Sequence, residues 1–335
     1  MKRVAIVILN WNGKDHLQTF LPSVIENSSD LADIILVDNG STDDSVALVK
    51  AEFPTVQLIR LDKNYGFTGG YNKALAQLNH EFSVLLNSDV EVSQNWLEPL
   101  LHLVDSDQTI AAIQPKILSY ENKKSFEYAG AAGGYIDFLA YPFCRGRLFE
   151  KLENDNGQYD DTREIFWATG ACLFVRTKVF MKIGGFDEGF FAHNEEIDLC
   201  WRLKNQDWKV YYCGQSQVYH LGGGTLHKSN PRKTFLNFRN NLTMLMKNDR
   251  SGFLFSKVIL RLVLDGIAGL VFLSKGSWKD TLAVVKAHFA VYRQLPTILE
   301  KRKMLGNKRK HSKEIYLHSI VFESFILGKS KIEIP

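Results

Sequence analysis

Five short stretches of the chain carry side chains that could bind a phosphate-bearing ligand or move a proton. Glu195-Glu196-Ile197-Asp198 sets three carboxylates within four positions. Repulsion in such a cluster raises one pKa toward a value useful to a general base. The same residues also make sense as the acidic first turn of a helix capped by Asn194, with Asp198 paired to Arg202 one turn on. In VDNGSTDDS, Asp38 ends an apolar run, where a carboxylate can accept hydrogen bonds from a nucleobase imide or a ribose hydroxyl. Asn39, Gly40 and Ser41 permit a tight turn there, and Thr42 or Asp43 suits the cap of a following helix. Asn64–Leu75, NYGFTGGYNKAL, reads as a glycine-rich loop before a helix, able to bring backbone close to a phosphate. It matches neither G-x-G-x-x-G nor G-x-x-x-x-G-K-[ST], which disfavours a dinucleotide dehydrogenase or a P-loop NTPase; a turn needing positive φ explains it equally well. LLNSDVEV ends in Asn87-Ser88-Asp89, and a carboxylate there suits a hard divalent cation bridging two phosphates, provided other ligands are borrowed; a helix cap before Trp96 is the plainer account. His220 precedes a run of glycines, although a histidine at a strand end is more often simply hydrogen-bonded.

The elements that must position these residues are legible in the first hundred positions. VAIVIL at 4–9, DIILVD at 33–38, VQLIRL at 56–61 and FSVLLNSD at 82–89 are continuous apolar, β-rich runs that predict buried strands. Between them 16–27, 44–53 and 72–78 have helical apolar spacing. Alternating strands and helices imply right-handed crossovers and a mostly parallel sheet flanked by helices, an α/β fold. Ligands in such sheets bind beyond the carboxyl ends of the strands, which selects 10–13, 38–43, 61–64 and 87–89, all polar. From about Ser119 to Glu164 the pattern predicts loops, short strands and a mobile acidic excursion, EKLENDNGQYDDTRE.

Composition narrows the class further. At 45% hydrophobic and 23% charged the chain is globular rather than disordered. Its four cysteines contain no C-x-x-C pair, so neither a zinc ribbon nor a disulfide framework is suggested. Met1 runs directly into the first apolar segment with no leader pattern, so a cytoplasmic location is expected. The net charge of +4 is uneven: from Lys247 onward there are 17 Lys+Arg against 7 Asp+Glu, leaving the preceding residues 24 against 30. An acidic body with a basic tail points to an anionic partner for the tail. Its lysines are not interleaved with stacking aromatics, so nucleic acid is disfavoured against a membrane surface. In residues 253–273, Lys257, Arg261 and Asp265 form one stripe on an apolar helix. Three central charges at ~2.5–3.5 kcal/mol each cancel the gain from the apolar residues, so a helix lying in the interface is expected rather than a span. The basic runs at 301–303 and 308–313 would face anionic lipid. Packing on the body or on a second subunit, as a homodimer, is the alternative.

Taken together, VILNWNG, VDNGSTDDS, NYGFTGGYNKAL, LLNSDVEV, ATGACLFVR, GGFDEGFFAHNEEIDLCWRL and VYHLGGGT resemble the inverting GT-A glycosyltransferases of family 2, most closely the bacterial rhamnosyltransferase-like members that build cell-surface polysaccharide. The resemblance covers about residues 3–245. It implies a Rossmann-like GT-A catalytic domain over 1–245 and a basic, amphipathic helical region over 246–335. By position in the motifs it implies that Asn10, Asn12, Asp38 and Asn39 lie at the nucleotide. Asn64, Gly69, Gly70, Asn72 and Lys73 would frame the nucleotide and diphosphate, with Asn87 beside them. Asp89 matches the last aspartate of the family's D-x-D, whose first position is Asn87 here, and Asp89 with His220 would hold Mn²⁺ or Mg²⁺. Glu195-Glu196 falls on the family's Glu-Asp pair, so Glu196 takes the place of the catalytic base, with Glu195 undecided. Trp167 and Phe191 are candidates to stack on an acceptor sugar, or equally to be core; for Phe190 the core reading comes first.

The implied activity is transfer of one sugar, rhamnose being the candidate, from a dTDP- or UDP-sugar to a lipid-linked saccharide at the inner face of the bacterial membrane. Two rivals remain. A sugar-1-phosphate nucleotidyltransferase would need a basic glycine-rich signature near the N-terminus, where VILNWNGKDHL offers one lysine and one glycine. An inactive scaffold of a polysaccharide assembly complex is kept open by Asn87 and Glu196.

Overall fold

The first strand is apolar at every interior position, so it is stable only when covered on both faces. The computed structural model, which describes residues 1–222, 230–306 and 312–334, places it at the centre of the molecule. The chain runs β1 (Val4–Asn10), α1 (Lys14–Ser28), β2 (Ala32–Asp38), α2 (Ser45–Glu52), β3 (Gln57–Arg60), α3 (Gly66–Leu75), β4 (Phe82–Asn87), β5 (Val90–Val92), α4 (Leu97–Ser106) and β6 (Ile110–Ser119). Short strands β7 (Gly134–Asp137), β8 (Pro142–Cys144), β9 (Arg147–Leu148), β10 (Lys151–Leu152) and β11 (Thr162–Glu164) follow, then β12 (Cys172–Arg176), α5 (Thr177–Lys182), α6 (Glu195–Asn205) and β13 (Lys209–His220). The remainder is α7 (Pro231–Asn248), α8 (Leu254–Ser274), α9 (Trp278–Met304), β14 (Ile315–Tyr316) and α10 (Ile320–Phe325).

The main sheet has the order β11-β13-β6-β12-β4-β1-β2-β3, with β5 against β13. β3, β2, β1 and β4 are parallel, β13 is parallel to β6, and β12 runs antiparallel between β4 and β6. Val4, Ile6 and Ile8 enter one core while Ala5 and Val7 enter the other, the strand's period of two distributing one run between both faces. Asn10 pairs with Asp38, and Asn87 follows Leu86 on the other flank of β1, so the polar strand ends reach one edge together. Between Cys213 and Gln217 the register of β13 on β6 jumps past Gly214–Ser216, a bulge after which pairing resumes to His220.

The expected elements are present, with three differences. The helix predicted from residue 72 begins at Gly66, so the glycine segment is its first turns rather than a loop. Gly70 is required there by closeness: a Cβ would lie 2.7 Å from Leu9 and 3.2 Å from the Asn39 amide. The short strands expected between Ser119 and Glu164 are present, and β7–β10 join β14 in a second sheet, ordered β10-β9-β8-β7-β14. The acidic excursion is tied down rather than mobile: buried Lys116 holds Asp155 at 2.8 Å and also Asp160, and Arg145 holds Asp161 at 2.8 Å.

The third difference concerns α8. Its charged stripe faces the protein, not the outside. Arg261 donates to the Leu139 carbonyl at 2.9 Å and to Asn241, and lies over the Tyr141 ring. Asp265 is fully buried, reached by Tyr141 Oη at 3.1 Å and His288 Nε2 at 3.1 Å. Phe255, Ile259, Val263, Ile267 and Leu270 turn outward, while Leu254, Val258 and Leu262 pack on the core. No described helix is long and apolar enough to cross a membrane. The 245/246 boundary falls inside α7, and 308–311 of the second basic run lie outside the described residues, as do the glycines from 223 onward in the run after His220.

Candidate active site

Antiparallel pairing of β13 with β5 sets His220 opposite Val90, so its ring meets Asp89, one residue earlier at the carboxyl edge. His220 Nε2 lies 3.2 Å from Asp89 Oδ1 and 3.4 Å from the Asn87 side-chain amide. The other ring nitrogen, Nδ1, stands 3.1 Å from Glu127 Oε2, an ion-pair contact rather than an aligned hydrogen bond. Burial works against the imidazolium, yet the two carboxylates outweigh it and push the His220 pKa up to about 10. Burial likewise opposes the Asp89 carboxylate, and His220 overcomes it to hold that pKa below the ordinary value.

With the His220 proton displaced, the donor set fits a divalent ion. Two donors 3.2 Å apart match the separation of neighbouring ligands on an ion with bonds of about 2.1–2.2 Å. Turning the Asn87 amide over would bring an oxygen to the same point, because amide orientation is assigned from such contacts. Glu127 faces the opposite ring nitrogen and cannot share the ion; it is placed to orient the ring from behind. Among the described residues no group of three or more His, Cys, Asp or Glu side chains converges on one point, so an ion here would complete its shell from phosphate and water. Sequence reasoning missed Glu127. It follows β6, remote in sequence from His220, and only the neighbourhood of β6 and β13 in the sheet brings them together.

The strand ends beside this pair form a polar floor. Asp38 is buried and accepts the Ser41 N–H at 3.2 Å, with Arg60 Nε 4.0 Å from its other oxygen. Asn10 donates to Ser41 Oγ at 3.2 Å, and its buried Oδ1 has no partner. Asn12, in a left-handed conformation at φ 52°, accepts the Thr42 N–H at 2.7 Å. Asn39 is a clamp: it donates to Asn64 Oδ1 and the Gly66 carbonyl and accepts the Tyr65 N–H, fixing the start of α3. Gly69 and Gly70 are buried in α3, and exposed Lys73 sets its Nζ 4.2 Å from the Tyr65 ring centre. Asn72 uses both ends of its amide on the Phe186 backbone, at 2.9 and 2.8 Å, so it ties α3 to the GGFDE turn rather than opening toward a phosphate.

Glu195 and Glu196 begin α6, and on each carboxylate one enclosed oxygen lacks a hydrogen-bond partner. Burial pushes Glu196 up to about 7; burial and the Glu196 charge push Glu195 well above the carboxylate range. The expected Asn194 cap is absent, since that residue is left-handed at φ 67° and its side chain makes no capping bond. Asp198 plays the structural part anticipated, bonded to Arg202 at 2.8 Å, Lys247 at 2.7 Å and Asn248 at 2.7 Å. Cys200, one turn beyond Glu196, accepts the Ala168 N–H, and Ala171 in the same segment accepts the Asn87 N–H. These contacts tie the head of α6 to the Asn87–Asp89 edge.

The loop entering α6 is strained. Phe191, with φ 66° and ψ −57°, closes a three-residue turn in which the Ala192 N–H reaches the Phe190 carbonyl at 2.8 Å, and His193 and Asn194 are also left-handed. Asn240 of α7 holds it by donating to the carbonyls of Phe190, Ala192 and His193. Outliers of this kind cluster at functional sites. Phe191 is half exposed beneath Arg232, its ring against Gly66, so it has a face to offer a ligand. Phe190 is core. Trp167 is core as well, its indole donating to the Tyr135 carbonyl and its ring covering Gly134, so it offers an acceptor no open face.

The sequence profile described as "Glycosyl transferase family 2" matches residues 5–184. The N-acetylglucosaminyl-diphospho-decaprenol L-rhamnosyltransferase of Mycobacterium tuberculosis is 24% identical over 229 residues, 64% of this chain and 75% of that protein. Among solved structures, GalNAc-T7 with UDP, GalNAc and Mn²⁺ superposes with a TM-score of 0.57 at 17% identity, covering 74% of this chain; the chain spans about half of that one, 48%. The mannosyltransferase PcManGT of Pyrobaculum calidifontis, with GDP-Man and Mn²⁺, gives 0.55 at 13% identity over 90% of this chain and 84% of its own.

Proposed function

The chain belongs to glycosyl transferase family 2, whose members are inverting nucleotide-sugar glycosyltransferases of GT-A fold, and from that premise we propose that it moves one sugar from a nucleoside-diphosphate donor to a hydroxyl of a lipid-linked saccharide in polysaccharide synthesis. The observation that carries the site assignment is the Asp89–His220 pair, two donors 3.2 Å apart at the carboxyl edge. Mn²⁺ in GalNAc-T7 and PcManGT supports a divalent ion at this pair. Such an ion, Mn²⁺ or Mg²⁺, supplies positive charge to the departing diphosphate as a Lewis acid.

This chain's residues do the rest. Asp38, Asn10 and Asn12 receive the nucleoside on the floor of strand ends. Glu196, with a pKa near 7, takes the proton from the acceptor hydroxyl as its oxygen bonds to the anomeric carbon. The bond from that carbon to the diphosphate oxygen breaks on the opposite side, the electron pair leaving with the diphosphate. One displacement inverts the configuration and requires no enzyme nucleophile. Burial and the neighbouring Glu196 hold the Glu195 pKa well above the carboxylate range, which favours its neutral form beside the base. Phe191 offers its exposed face to the acceptor sugar.

The diphospho-decaprenol acceptor in the name of the mycobacterial relative supports a lipid-linked acceptor, and rhamnose is the first sugar to assay. The reading places residues 1–245 as the catalytic domain and 246–335 as the part that meets the inner face of the membrane. Calorimetric titration with dTDP and UDP, with Mn²⁺ or Mg²⁺ and again with EDTA, tests it. Binding that requires the metal and is lost in Asp89→Asn is expected; metal-indifferent binding would remove the ion from the site, and no binding of either nucleotide would favour an inactive scaffold.

A further inference from the structure

The hairpin α8–α9 is built inside out for a helix pair on a soluble surface. On α8 the charged positions are consumed by the body, and Phe255, Ile259, Val263, Ile267 and Leu270 stand exposed at helical spacing. On α9 the outward row is Trp278, Leu282, Val285, Phe289, Tyr292 and Leu299, three or four residues apart until the last step, a single apolar stripe on a 27-residue helix. Monomeric surfaces rarely carry apolar patches beyond a few hundred Å² without a partner.

Charge identifies the partner. Lys279, Lys286 and Arg293 recur every seven residues beside the apolar row of α9, and Lys275 and Lys303 stand exposed at the ends of the pair. From 254 to 304 the exposed acid is Glu300; Asp265 is buried, and Asp280 is taken up by the Thr234 hydroxyl at 2.7 Å. A two-fold pairing of copies through this face would bring two sets of like charges onto one interface, which disfavours self-association. An apolar ridge edged by cations is instead the pattern of a helix lying in an anionic bilayer surface.

We propose that α8 and α9 lie in the plane of an anionic lipid leaflet, with Phe255, Leu270 and Phe289 among the acyl chains and the Lys279, Lys286, Arg293 row at the headgroups. The proposal deepens the membrane-side reading of the acceptor and rests on it for its purpose. The hairpin is coupled to the site: Lys301 of α9 contacts Asp187 at 2.5 Å, and Asp187 also binds Lys247 of α7 at 2.7 Å and the Gly189 N–H. A docked hairpin thus holds the turn leading into the strained loop at a fixed height above the lipid.

Flotation of the full chain with phosphatidylcholine vesicles, plain or carrying about a third phosphatidylglycerol, tests this. Binding to the anionic vesicles is expected, weakened by salt. F255S/L270S/F289S should bind at least about a hundredfold more weakly, since each large apolar side chain is worth about tenfold. K279E/K286E/R293E should lose the preference for phosphatidylglycerol. Circular dichroism and nucleotide binding in vesicle-free buffer check that both variants are folded, and they separate failure of this proposal from failure of the transferase reading. Equal flotation of wild type and the apolar variant would overturn the proposal. So would a wild-type protein that ignores both vesicles and runs as a dimer by light scattering that F289S dissociates.

Discussion

Removing the Asn240 side chain should release the loop that leads into Glu195. Phe191, His193 and Asn194 are left-handed, each at a cost of about 1–2 kcal/mol, so the loop stores roughly 3–6 kcal/mol. Against that, the two amide hydrogens of Asn240 serve three carbonyls at 2.7–3.1 Å, and Arg239 adds bonds to Gly189 and Phe190. At about 1 kcal/mol net per bond, plus the cost of carbonyls left enclosed, Asn240→Ala forfeits about 2–4 kcal/mol. That loss is comparable with the stored strain, so the loop should leave its conformation for much of the time. Expected results are faster amide exchange at 190–196 by at least about tenfold and kcat lowered by about ten- to a hundredfold. Nucleotide affinity should stay within about twofold, because the donor floor lies on other strands. Asn240→Asp, which keeps the size and loses the donors, should behave the same way. Wild-type exchange across 190–196 in a variant that has lost stability elsewhere would refute the account.

The raised pKa of Glu196 makes two linked predictions: kcat/KM should rise with pH through about 7, and Glu196→Gln should lose turnover while keeping nucleotide binding. Because the folded-state pKa lies above the unfolded one, protonation favours the fold at low pH and that contribution fades as pH rises through 7; Glu196→Gln should therefore gain stability over wild type at pH 8 and not at pH 4 in thermal melts. Glu127→Gln keeps the shape beside His220 but loses the charge, and should weaken Mn²⁺-dependent nucleotide binding by about tenfold in calorimetry while leaving metal-free binding unchanged. Gly134→Ala drives a methyl into the Trp167 ring and should cost about 3 kcal/mol or more in urea unfolding. Arg261→Ala leaves Asp265 buried with Tyr141 and His288 alone, an expected loss of about 3–5 kcal/mol by the same measurement.

The parallel half of the sheet was legible because β1, β2 and β4 are apolar at consecutive positions, a pattern few other structures satisfy. The polar strand ends followed from topology alone, and Asp38, Asn87 and Asp89 lie where that rule put them. The start of α3 was not legible, because glycines at 66, 69 and 70 oppose helix by propensity; Gly66 adopts φ +70° against Phe191, Gly69 lies close to Tyr65 and Gly70 close to Leu9 and Asn39, which only the assembled structure reveals. The acidic excursion read as mobile because its cations, Lys116 and Arg145, sit on other elements. Lys257, Arg261 and Asp265 share one face of α8, as their four-residue spacing requires, but periodicity fixes which residues share a face and not whether that face turns inward. Asn72 and Trp167 show the limit of motif reasoning: the types match, while the side chains are taken up by Phe186 and Tyr135.

The bulge at Gly214–Ser216 bears on how this protein can change over evolutionary time. His220 is positioned by pairing with β5 and the far half of β6, while the near half of β13 is paired separately, on the other side of the bulge. The bulge itself is fixed in place: buried Ser216 donates to the Trp96 carbonyl at 2.6 Å, and Gly214 and Gln215 grip the excursion through the Asp161 and Asp160 carbonyls. A change of length in β13 before Gln217 would therefore have to break these contacts before it could shift His220, so the bulge insulates the Asp89–His220 pair from the outer half of the strand.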